Sequence, residues 1–152
     1  MTDKSAFDEA EWHALTEAPL LITSAVFIAG EHGPISMIKE ASASAKAISR
    51  PGERGAANAL IGQIVAEANT KEARAEVKEH RGPTPQAAIE GVLQELGPAA
   101  AALKKLPAEE ETQVAAWFLA IAEAVAESAK SVNPDERATI DKIAALFGVK
   151  AP

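Results

Sequence analysis

The last third of the chain constrains its fold most. Residues 112–149 read as two helices joined by a capped turn: WFLAIAEAVAESAK, then SVN, then PDERATIDKIAALFG. Val114, Trp117, Phe118, Ile121 and Val125 recur at helical spacing and line one face. Asn133 stands as an N-cap with Pro134 at the first helical position and Glu136 three residues past the cap, the pattern of a capping box. Ile140, Ile143, Ala144 and Phe147 make the apolar stripe of the second helix, and Gly148 supplies a left-handed stop. Helices this short are marginal alone. Their stripes must therefore be buried against further helices.

Composition supplies those helices. Alanine fills 35 of the 152 positions. It has the best intrinsic helix propensity, and its small side chain lets helices approach closely. Tyr is absent and strand-like clusters of β-branched and aromatic residues are scarce. We therefore expect an all-α fold of seven to eight helices, formed as a single domain over residues 1–152. A chain of this length can bury a sizeable core without covalent staples.

Proline and glycine punctuate the rest. Asp8 and Glu11 form a capping box, and Phe7 and Trp12 take the staple positions around it. This first helix is expected to end near Glu17. Pro19 then opens a second, almost wholly apolar helix to Glu31, which belongs at the centre of the fold. Gly33-Pro34 starts a third, to Ser49, with Ile35, Ile38 and Ile48 on one face. Residues 50–55, RPGERG, are the clearest loop. Leu60, Ile61, Ile64 and Val65 stripe the next helix, and residues 69–80 continue as a charged one. Thr84-Pro85 looks like an N-cap and first-turn pair for a short helix stopped at Gly97, with Pro98–Leu106 a further helix or turn. Pro107 restarts the chain, and Glu109, Glu110 and Glu111 sit where a helix dipole favours anions.

Charge and composition narrow the function classes. There is no cysteine, so disulfides and thiolate metal sites are excluded. A net charge of −7 repels phosphate backbones, and no nucleic-acid partner is expected. The N-terminal residues lack the pattern of a signal peptide, and the apolar run 19–30 is too short to span a bilayer. The expectation is a cytoplasmic protein without a membrane partner. No HExxH, EF-hand loop, P-loop or nucleophile elbow is present, so neither a cofactor nor a catalytic apparatus is assigned.

Two segments share one layout. AVFIAGEHGPISMIKEASASAKAI and AIAEAVAESAKSVNPDERATIDKIAALFGV each read as an apolar helix, a capped turn and an amphipathic helix. This order resembles the TerB-like (tellurite-resistance type) helical domains over about half the chain. Their motif is roughly Ala-Asp-Gly-x-Ile/Val-Ser-x-x-Glu between two helices. Glu31-His32-Gly33-Pro34-Ile35-Ser36 matches it in part, with His32 in place of Asp, Lys39 in place of Glu, and Glu40 one step on. The second copy, residues 129–136, is one residue shorter, has Lys130 in place of the Asp and retains Glu136. The resemblance implies a fold of two related helical hairpins and a stress-response role. In that family the acids gather at a metal site, but these departures remove acids, and no metal is assigned.

The candidate ligand-binding residues are Glu31, His32 and Glu40, around the Glu31-His32-Gly33 turn. A histidine beside a carboxylate in such a turn can titrate near neutrality or hold a ligand; the alternative is a solvated residue at a helix C-terminus. His13 and Glu17 stand at i,i+4 and read as a simple side-chain pair. Trp12 and Trp117 read as core anchors. The small-faced helix with Ser42, Ser44 and Ser49 suits close packing, within the fold or against a second copy. The leading expectation is an interaction or stress-response module contacting a protein partner or small ligand. The alternatives are a metal-binding protein or enzyme at the Glu31 turn, and a homodimeric structural protein.

Overall fold

The computed structural model describes residues 4–30, 59–68, 84–128 and 134–148. A short 3-10 turn, Lys4–Ala6, precedes five α-helices among these residues. They are α1 (Glu9–Gly30), α2 (Ala59–Ala68), α3 (Pro85–Leu103), α4 (Ala108–Ser128) and α5 (Pro134–Leu146). The described residues contain no strand. The all-α class holds, and the helix count is lower than expected. Part of the difference is real fusion of elements. The helices expected at 34–49 and 69–80 lie outside the described residues.

The fusions occur at proline. Pro19 lies inside α1 and Pro98 inside α3, so the two expected breaks, near residue 18 and at Gly97, are absent. A proline in a helix interior removes one backbone hydrogen bond and costs about 3 kcal/mol relative to Ala. Burial outweighs that cost. Leu15, Leu21, Ile22 and Val26 straddle Pro19 on α1 and are fully buried. Each such side chain contributes roughly 1.5–3 kcal/mol when removed from water. On α3, Val92, Leu96 and Leu103 similarly span Pro98, which itself faces solvent. A local breaker thus yields to a continuous apolar stripe.

The caps expected at Asp8, Thr84 and Gly148 are present, while the one expected at Asn133 lies outside the described residues. The backbone N–H of Glu11 donates to Asp8 Oδ1 at 2.8 Å, and that of Asp8 donates to Glu11 Oε1 at 3.0 Å. The Phe7 and Trp12 rings lie 6.2 Å apart between centroids, completing the staple. Thr84 Oγ1 accepts from the Ala87 N–H at 3.1 Å at the start of α3. Gly148 adopts φ 71°, the left-handed conformation that favours glycine.

One core joins all five helices. α1 is its axis, packing against each of the other four. α4 lies against α1, α3 and α5 and contributes Phe118 at the centre. Phe118 stacks obliquely on Trp117 at 5.3 Å and on Phe147 of the C-terminal turn at 5.1 Å. The small residues Ala18, Ala25, Ala99, Ala122 and Ala126 are buried between larger neighbours and let the backbones close up. None of the described helices is long and apolar enough to cross a membrane.

Candidate functional site

A cleft opens where the N-terminal turn, the first two turns of α1 and the end of α2 meet. Its volume is about 710 Å³. Phe7 and Trp12 form the floor, and Lys4, Asp8, Glu9, His13, Gln63 and Glu67 stand around the rim. The floor follows from the capping box, since the staple brings both aromatic rings beneath the start of α1. The rim follows from the 3-10 turn, which folds the N-terminal residues back over α2.

Glu67 is the polar centre of the cleft. Trp12 Nε1 donates to its Oε2 at 2.6 Å, and Lys4 Nζ donates to its Oε1 at 2.9 Å. The Lys4 ammonium also sits 5.6 Å from the centroid of the Trp12 ring, within cation–π range. The Lys4 backbone N–H donates to Gln63 Oε1 at 3.0 Å and pins the turn to α2. Burial pushes the Glu67 carboxyl up, but the hydrogen bonds from Lys4 and Trp12 more than offset it, and its pKa lies below the ordinary value.

A neighbouring pair braces the same end of the molecule. Lys105, in the turn between α3 and α4, places Nζ 2.6 Å from Glu11 Oε1. The Asp8 backbone N–H and Lys105 together lower the Glu11 pKa. Glu11 therefore closes the α1 cap and ties α1 to the α3–α4 turn at once. Lys104 makes a similar 2.8 Å bond to Glu111 at the start of α4.

Two further polar places occur. A small cavity of about 120 Å³ lies between the end of α1 and the starts of α3 and α5, with Glu90, Asp135 and Lys142 at its edge. Between α4 and α5, Glu123 Oε1 and Arg137 Nη1 are each shielded from solvent and make no hydrogen bond. Burial and the nearby Glu127 push the Glu123 carboxyl up, while Arg137 opposes them.

The residues singled out from sequence are described only in part. Glu31, His32 and Glu40 lie outside the described residues, as does the small-faced helix with Ser42, Ser44 and Ser49. His13 and Glu17 do pair, with Nε2 3.6 Å from Oε2. Trp117 is the core anchor expected of it, 4 % exposed. Trp12 is buried too, but its indole N–H turns toward Glu67 and its ring lines the cleft. Glu67 was not singled out. Its only sequence signal is its place one turn beyond Ile64, at the end of the α2 stripe. No group of three or more His, Asp and Glu side chains able to hold a metal occurs among the described residues. No family model matches this chain, and no curated protein or solved structure is found to be similar to it.

Proposed function

We propose that this protein is a cytoplasmic, non-catalytic helical module that acts by contact with a protein or small ligand, through the cleft over Phe7 and Trp12. The observation that carries this reading is the cleft itself: an aromatic floor and a polar rim assembled from three separate elements. Its volume falls within the roughly 300–1,000 Å³ usual for ligand sites, and a mostly apolar lining with a few placed polar groups is their common chemistry. Among the described residues the rim carries three carboxylates, Asp8, Glu9 and Glu67, against one ammonium, that of Lys4. The stress-response role is part of this proposal and rests on the TerB-like resemblance of the two helical hairpins.

The test is a titration of the full chain, followed by backbone amide resonances, with octapeptides of acidic, neutral and basic composition. Shifts should concentrate on residues 4–16 and 63–67. If no peptide moves those resonances, or if all shifts map to other faces, the reading fails.

A further inference from the structure

Building on the cleft reading, we propose that Trp12 and Glu67 form a cage for a primary ammonium. Lys4 fills this cage in cis, and the cleft's partner is a protein segment whose lysine displaces Lys4.

The chemistry of the cage is specific. An ammonium is a compact charge with three donors and no acceptor. A carboxylate oxygen beside an indole face satisfies it twice, once by a charge-assisted hydrogen bond and once by the ring quadrupole. Lys4 Nζ takes both, at 2.9 Å from Glu67 Oε1 and 5.6 Å from the Trp12 centroid.

The two contacts of Glu67 differ in permanence. The Trp12 Nε1 bond to Oε2 is part-buried and holds the carboxylate in place. The Lys4 bond is open to water: the Lys4 side chain is 60 % exposed and that of Glu67 42 %. An exposed ion pair of this type is weak. When Lys4 swings away, Oε1 stays aimed into the cleft by the indole. The cage is thus preorganised for an incoming cation and, among the described residues, is closed by a weak, tethered competitor.

The same geometry selects the occupant. An arginine fork binds a carboxylate best through both oxygens, but the Trp12 N–H already takes one of the two acceptor sites of Oε2 and crowds the second. A single ammonium needs only Oε1. Asp8 and Glu9 on the rim add negative charge on which flanking basic residues of a protein segment can rest. Charge complementarity therefore points to a lysine-bearing segment.

The experiment follows the Trp12 indole N–H resonance of the full chain at low ionic strength. The probes are a Gly/Ser octapeptide carrying two lysines, its arginine counterpart, and spermidine as a free ammonium. Lys4→Ala should bind the lysine peptide roughly two- to fivefold more tightly than the wild type, because the cis competitor is gone. Lys4→Gln, which keeps a polar stem without the charge, should do the same. Adding Glu67→Gln to Lys4→Ala should weaken binding by about tenfold or more. The arginine peptide should bind more weakly than the lysine peptide. Equal or weaker lysine-peptide binding by both Lys4 variants overturns the cage, even if cleft resonances still move and the contact reading stands. Spermidine binding as tightly as the peptide overturns the assignment to a protein segment. If no probe moves any cleft resonance in any variant, both the cage and the contact reading fall.

Discussion

The indole of Trp12 and the carboxylate of Glu67 meet at 2.6 Å, linking the first turn of α1 to the last turn of α2 across 55 residues of sequence. Trp12 is only 5 % exposed, and α2 packs chiefly on α1. This bond therefore matters to the seating of α2 as well as to the cleft. Trp12→Phe keeps the staple but removes the donor. The expected loss is about 1–3 kcal/mol, as for a hydrogen bond to a charged group. Glu67→Gln keeps an acceptor for the indole and should lose less, under about 1 kcal/mol. Urea midpoints of the two variants check the order. A larger loss in Glu67→Gln would mean that charge, not the indole bond, holds α2.

Acid should weaken the N-terminal end first. The Glu67 and Glu11 carboxyls have folded-state pKa values below their ordinary 4.5. Such groups stabilise the fold above the unfolded pKa, and that stability is lost as pH falls through the lower folded value. Urea midpoints should therefore be flat near neutrality and drop on acidification below about pH 4.5. The double variant Glu11→Gln, Glu67→Gln should drop less steeply. An equal acid slope in that variant would place the sensitive carboxyls elsewhere.

Glu123 behaves in the opposite sense. Burial and Glu127 raise its pKa, so ionising it in the folded state works against stability at neutral pH. The penalty shrinks as pH falls below the raised value and is gone below the ordinary one. Glu123→Gln should therefore raise the urea midpoint at pH 7 and lose that advantage in acid. A lower midpoint at pH 7 would show that the attraction to Arg137 outweighs burial.

The glycines inside helices offer a separate test. A Cβ added at Gly62 on α2 or Gly91 on α3 meets nothing within 4 Å, and both positions face solvent. Ala at either should stabilise by about 0.5–1 kcal/mol through backbone entropy alone. Gly148 should respond in the reverse direction, because its φ of 71° strains any L side chain whatever the space around it. Thermal melting of the three single variants gives the comparison. Destabilisation by Gly91→Ala would mean that α3 needs the flexibility near Pro98.

The sequence by itself determined the helical class, the caps and the apolar stripes. The Asp8–Glu11 box, the Phe7–Trp12 staple, the Thr84 cap and the Gly148 stop are all local, each formed within a few residues by short-range sterics and hydrogen bonding. The stripe Val114, Phe118, Ile121 and Val125 is likewise a matter of period, and all four side chains are fully buried. Tertiary structure decided what local rules got wrong or could not reach. Pro19 and Pro98 read as boundaries because proline disfavours helix locally; burial of Leu15, Ile22, Leu96 and Leu103 on either side outweighs that preference. The cleft lay further out of reach. Lys4, Trp12 and Glu67 are unremarkable in their own neighbourhoods, and only the docking of α2 on α1 brings an ammonium, an indole and a carboxylate together. Periodicity shows which face of a helix is buried but not which helix covers it, so a site built between helices appears only once they pack.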